Sequence, residues 1–276
     1  MIRCTQLFTL PLLFLVACTP ENVPEIAAVD GSDKNPTERA SVGEVEKADS
    51  AQNTTEPAQD AGRALTTWVL EQGGSVSAYV GDTKKSMSWE SPAELPSEKI
   101  EPFRVKLESA NISDDDMKRF AGHPRLRDLY LNGSTVSDDG LVHLKELPDL
   151  ESLQLVGTQI TDKGMEHLEQ IRSVQGLYLN STQVGDAGVE QISKLPGVTV
   201  LWLADTKVTD AGLAHIGKIK TLFVLNLQMT SVTDSGLKHL SQLKSLNNCD
   251  LRNTAVTRAG AETLDEQLPN GTVAFE

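Results

Sequence analysis

The chain has 276 residues, 39 % of them hydrophobic and 4 % aromatic, which is enough apolar material for a sizeable core. Its 25 basic and 39 acidic side chains leave a net charge of −14 and a pI near 4.8, a balance that repels phosphate backbones and anionic headgroups and excludes nucleic acid as an expected partner. Cys4 and Cys18 lie at the extreme N-terminus and Cys249 stands alone, so no internal disulfide framework is available and packing must hold the fold.

In chain order, the first element is an address. Arg3 is followed by an apolar run from Leu7 to Val16, too short for a transmembrane helix, which needs about 20 apolar residues. A signal-peptidase cut after Ala17 would place Leu15 where a small residue is wanted. The quartet Leu15-Val16-Ala17-Cys18 instead resembles the lipobox of bacterial lipoproteins. That resemblance implies a signal peptide over 1–17, lipidation of Cys18 and a cell-envelope location outside the cytoplasm. Thr19, which is not an aspartate, favours the outer membrane over the inner.

Residues 18–62 read as a disordered acidic tether. Between Thr19 and Asp60 there are ten acids, three bases, four prolines and no aromatic residue, so too little apolar surface is available to offset chain entropy. A flexible chain of this length reaches about 35–40 Å.

An N-terminal cap is expected over 63–101. The segment "RALTTWVLEQGG" from Arg63 places Leu65, Trp68 and Val69 on one face of a short helix stopped at Gly73-Gly74. Ser75 to Val80 and Ser86 to Trp89, separated by Gly81-Asp82, read as a hairpin.

From Pro102 the sequence repeats every 24 residues. "LRDLYLNGSTVSDDGLVHLKELPD" starts at Leu126, and further copies start at Leu150, Val174, Val198 and Leu222. A degenerate first copy at Pro102 and a longer last one at Leu246 make seven, over 102–270, with a closing strand over 271–276. Within a copy, apolar residues at the fourth and sixth positions, as in Leu201-Trp202-Leu203, give a half-buried strand; Leu213, Ile216 and Ile219 then step by three along a short helix. Parallel strands sit about 4.8 Å apart and packed helices about 8–10 Å, so such a stack curves with its strands inside. The fold class is therefore α/β: a solenoid with a curved parallel sheet inside and short helices outside, capped at its N-terminus. The pattern LxxLxLxxTxVTDxGLxxLxxL resembles the leucine-rich repeats of bacterial surface proteins and also those of eukaryotic F-box substrate receptors. No F-box-like segment is recognisable ahead of the repeats.

Three recurring residues invite chemistry. Asp114, Asp138, Asp162, Asp186, Asp210 and Asp234 form a file that could serve calcium. The favoured reading is that each, with the Ser or Thr that precedes all but Asp186, where Gly185 stands, caps its own helix. Gly140, Gly164, Gly188, Gly212, Gly236 and Gly260 are expected to let the helix start approach the strand layer. His143, His167, His215 and His239 share one position, where Gln191 stands in the fourth copy; helix spacing is too wide for neighbours to share a zinc, so they read as half-packed helix-face residues. No metal, cofactor or catalytic residue is expected, and the chain reads as a non-enzyme. Cys249, at a strand core position, is expected to be buried and inert.

The informative positions are those where the copies disagree. Between the strand leucines stand Lys106, Tyr130, Gln154, Tyr178, Trp202, Asn226 and Asp250; two positions on stand Glu108, Asn132, Val156, Asn180, Ala204, Gln228 and Arg252. A rigid face carrying aromatics favours recognition, with cross-strand packing as the alternative. The expected site is the concave face: Tyr178 and Trp202 as anchors, Tyr130 extending them, and Gln154, Asn180, Asn226 and Arg252 orienting a protein ligand bound by a monomer. A carbohydrate stacked on the same aromatics is the second reading.

Overall fold

A computed structural model describes residues 60–83, 85–269 and 271–276. The expected signal peptide, Cys18 and most of the tether lie outside the described residues.

The cap opens with helix α1 (Ala61–Glu71), two residues ahead of the Arg63 start expected. The reason is Asp60. Its carboxylate accepts the Gly62 N–H at 3.1 Å as an N-cap and the Ile100 N–H at 2.7 Å, so it ties the helix start to the first repeat. Two antiparallel strands follow, β1 (Ser75–Val80) and β2 (Lys85–Trp89). β1 also pairs antiparallel with β3 (Ile100–Lys106), the strand of the first repeat, through a bulge at Ser77/Ala78. Leu65, Val69, Val76, Ala78 and Trp89 are buried, and they close the end of the core that an open solenoid would expose.

Each later repeat contributes one three-residue strand: β4 (Asp128–Tyr130), β5 (Ser152–Gln154), β6 (Gly176–Tyr178), β7 (Val200–Trp202), β8 (Val224–Asn226) and β9 (Asn248–Asp250), with β10 (Thr272–Ala274) closing the series. From β3 to β10 the strands run parallel in chain order, and the ten-stranded sheet ends on the cap as β3-β1-β2. The register follows the 24-residue period: Leu129, Leu153, Leu177, Leu201 and Leu225 align with one another and with Cys249. All six are fully buried.

The opposite layer is made of α2 (Asp162–Leu168), α3 (Asp186–Ile192), α4 (Asp210–Ile216), α5 (Asp234–Leu237) and α6 (Arg258–Gln267). In the first two repeats the same segment is tighter, a 3₁₀ turn at Asp116–Phe120 and at Asp138–Glu146. Leu213 and Ile216 sit in the core as the three-step spacing requires.

The file of aspartates corrects the capping expectation. Asp210 does not cap its own helix. Its Oδ1 accepts the backbone N–H of Thr233 in the next repeat at 2.8 Å, and its Oδ2 accepts the Thr233 hydroxyl at 2.6 Å. The same clamp recurs as Asp114–Ser137, Asp138–Thr161, Asp186–Thr209 and Asp234–Thr257. Asp162 holds only the N–H of Gly185, which has no hydroxyl to donate. Capping falls to the hydroxyls alone: Thr209 accepts the Ala211 N–H at 3.3 Å.

The glycines Gly140, Gly164, Gly188, Gly212, Gly236 and Gly260 are corrected with it. A Cβ on Gly236 would stand 2.5 Å from Asp210 Oδ1 and 2.6 Å from Leu213 Cδ1; on Gly212 it would stand 2.5 Å from Asp186 Oδ1. The missing side chain makes room for the preceding repeat's carboxylate rather than for the strand layer. The four histidines are half-buried, and among the described residues no group of His, Cys, Asp or Glu could hold a metal ion.

Candidate functional site

The sheet face turned away from the helices carries the positions at which the repeats differ. Strand register places Lys106, Tyr130, Gln154, Tyr178, Trp202, Asn226 and Asp250 side by side in one lateral row. The two-residue period of a strand also brings a second row to this face, Arg104, Asp128, Ser152, Gly176, Val200, Val224 and Asn248, which precedes the inward residue at the fourth position of each copy. Sequence reasoning passed over that row. The signal for it was the same alternation, extended one step toward the N-terminus.

Accessibility along the first row is uneven. Tyr130 and Trp202 are half-buried, whereas Tyr178 is 5 % exposed, Gln154 3 % and Asn226 9 %. Tyr178 is covered from both sides. Its ring meets Trp202 edge-on, with centroids 5.1 Å apart and planes at 68°, and it lies back over Gly176, where a Cβ would come 3.2 Å from its Cε2. Burial raises the Tyr178 hydroxyl to a pKa of about 12, with the Tyr130 hydroxyl and the Asp128 carboxylate adding to the effect. Tyr178 is thus a support for Trp202, and its expected role as an exposed anchor does not match its burial. The indole N–H of Trp202 is covered and has no hydrogen-bond partner among the described residues.

The residues expected to orient a ligand are largely engaged within the sheet. Asn180 Oδ1 accepts the Ala204 N–H of the next repeat at 2.8 Å, as Asn132 Oδ1 accepts that of Val156 at 3.0 Å. Gln154 Oε1 accepts from Asn132 Nδ2, and Asn226 Oδ1 from the Gln228 N–H. Arg252 holds Asp250 through Nε and Nη2, the shortest of these contacts being 2.6 Å, while Gln228 Nε2 donates to the same carboxylate. These bonds fix the face and leave its side chains little freedom to reorganise.

At the cap end the face is charged. Arg104 Nε lies 2.8 Å from Asp128 Oδ2, and Lys106 sits over the Tyr130 ring, 5.4 Å from its centroid. Burial of Asp128 outweighs its guanidinium partner and raises its pKa; burial likewise raises that of Tyr130. A hollow of about 650 Å³ adjoins them, lined by Ser75, Ser77, Ser88, Glu90, Arg104 and Lys106 among others.

Comparison with known proteins gives the architecture its name. A family model described as "Leucine Rich repeat" matches residues 146–168. Among solved structures, internalin C2 of Listeria monocytogenes shares the fold with a TM-score of 0.52 at 16 % identity, covering 78 % of this chain and 92 % of that one. The fold is a leucine-rich-repeat solenoid. A second Listeria internalin, inlF, aligns over 61 % of this chain and 58 % of its own, at 15 % identity and a TM-score of 0.39. No curated protein matches the sequence. Among the described residues of the solenoid, no helix is long and apolar enough to cross a membrane.

Proposed function

We propose that the chain is a recognition module of the bacterial cell envelope, anchored by a lipid on Cys18, that holds a partner protein on the open face of its repeat sheet. The observation that carries the reading is the contrast between the two sides of the same strands. Inward, the repeats agree: leucines align and aspartate clamps recur. Outward, they diverge, and the divergent row holds Tyr130, Tyr178 and Trp202 on a rigid backbone. Large side chains with few rotatable bonds on a fixed surface supply contact area at little entropic cost.

In this reading binding is preorganised surface recognition with no bond made or broken. Trp202 and Tyr130 present accessible aromatic surface, Tyr178 buttresses Trp202, and the fixed polar residues Gln154, Asn180, Asn226 and Arg252 define the edges a ligand must match. A sugar platform is less favoured, because the tilted meeting of Tyr178 and Trp202 offers no broad flat face. The acidic tether would let the module search the volume above the membrane.

Two experiments separate the parts of the proposal. Cys18→Ala should move the protein from the membrane to the soluble fraction; unchanged retention would sink the lipid anchor and leave the binding face untouched. Tyr130→Ala with Trp202→Ala should abolish partner co-purification while circular dichroism stays unchanged; a partner retained by that double variant would place the site elsewhere.

A further inference from the structure

Repeat six, which starts at Leu222, breaks the pattern of its neighbours twice. Met229 follows β8 and is 59 % exposed; Phe223 precedes it and is 48 % exposed. At the position of Met229 the other repeats carry Ser109, Gly133, Gly157, Ser181, Asp205 and Asn253, all at positive φ like Met229 itself at 56°. Glycine and short polar residues tolerate that left-handed backbone, and a methionine there is strained. Exposed as it is, Met229 recovers little of that strain by packing. At the position of Phe223 copies two to five and seven have Arg127, Glu151, Gln175, Thr199 and Asn247, all polar, and the first copy has Phe103, whose ring packs on Tyr79 of the cap, centroids 4.8 Å apart.

The surroundings continue the anomaly. Val224, half-buried, follows Phe223 and pairs with the buried Val200 in the outward row, and the half-buried Trp202 and Ala204 occupy repeat five on the side toward Met229. The cap end of the same face is charged, with Arg104, Lys106 and Asp128. Next to Met229 along the stack stands Asp205, exposed and without an ion-pair partner among the described residues; its N–H donates to the Gln228 carbonyl at 2.8 Å. The carboxylate on the other side, Asp250, is already held by Arg252 and Gln228. A strained, exposed, adaptable thioether beside an unpaired carboxylate is a surface kept for an apolar group with a positive charge next to it.

We propose that repeat six is the docking centre for a basic, apolar segment of a partner protein. An apolar side chain lodges against Met229 and the Trp202 edge, a neighbouring lysine or arginine meets Asp205, and a second apolar residue covers Phe223, which lies at the other end of β8 from Met229. The net charge of −14 favours such a segment and opposes both a second copy of this chain and an anionic lipid surface. The inference rests on the open-face reading above and narrows it to one repeat and one partner chemistry.

The test is selection of a phage-displayed random-peptide library on the full chain, with each enriched peptide measured against variants. Enriched peptides should carry an apolar residue within two positions of a lysine or arginine and bind the parent at least tenfold tighter than Met229→Asn or Asp205→Asn. Met229→Asn should also raise the Tm by ~2–4 °C, since asparagine suits the left-handed backbone. No enrichment, acidic winners, or equal binding to Met229→Asn would overturn the proposal. Peptides that ignore Met229→Asn and are lost on Trp202→Ala would overturn it while sparing the open-face reading; peptides indifferent to both would sink both. A dimer in sedimentation that Met229→Asn disperses would assign the patch to a second copy and overturn it as well.

Discussion

Asp210 shows why a recurrent acid is better understood by what it touches than by what it precedes. Both of its oxygens accept from Thr233, which joins consecutive repeats at the helix side of the stack. Hydrogen bonds to a charged acceptor contribute about 1.5–3 kcal/mol each, so Asp210→Ala should cost about 3 kcal/mol in urea unfolding. Gly236→Ala should cost a similar amount, because its Cβ would fall 2.5 Å from Asp210 Oδ1. The double variant should be less destabilised than the sum of the two, since removing the carboxylate clears part of the space; strict additivity would contradict the clamp. The sequence held the deciding clue. The last repeat has Arg258 where the others have Asp, although its helix α6 still needs a cap, which Thr257 supplies. A capping acid would have persisted there, whereas a clamp has no further repeat to hold.

At the level of the single turn, strand, clamp and helix were legible to different degrees. The strands and their register could be read directly, because inward leucines two residues apart and a constant 24-residue period leave one alignment that buries them all. The helix start at Ala61 was not legible, because the partner that fixes it, the Ile100 N–H, lies 40 residues away. The 3₁₀ turns of the first two repeats were equally hidden, since their apolar spacing is that of the later helices. The candidate face was half legible: its members were named, but the burial of Tyr178 depends on Gly176 and Trp202 in two different repeats. The fourth copy tests the account of the turn. Gly185 has extended backbone at φ −128°, and a Cβ there would meet nothing closer than 3.4 Å. Gly185→Thr should restore the missing hydroxyl to Asp162 Oδ2 and stabilise the protein by about 1 kcal/mol, visible as a rise in Tm of ~2–4 °C. A fall in Tm would contradict it.

Across the whole solenoid, stability and recognition are shared out between the two sides of one sheet. The core runs unbroken from Leu65 in the cap to Val273 in the last strand, and two buried groups, one in it and one on the open face, titrate late. Cys249 and Tyr178 are both raised to about 12 by burial, with Asp250 and Tyr130 adding to the effect respectively. In the unfolded chain these groups ionise near 8.5 and 10, so the unfolded state gains from losing their protons first. Their contribution is constant below about pH 8.5 and is lost as the pH rises toward 12. Cys249→Val should therefore flatten the alkaline part of the stability curve, and native Cys249 should resist iodoacetamide until urea unfolds the protein, as read by peptide mass spectrometry. The other side of the sheet carries the functional claim. A photo-crosslinking phenylalanine analogue placed at Trp202 on the open face and, separately, at His215 on the helix layer compares the two sides in native membranes. A discrete crosslinked partner is expected from position 202 and none from 215; the same band from 215 alone would contradict recognition on the open face.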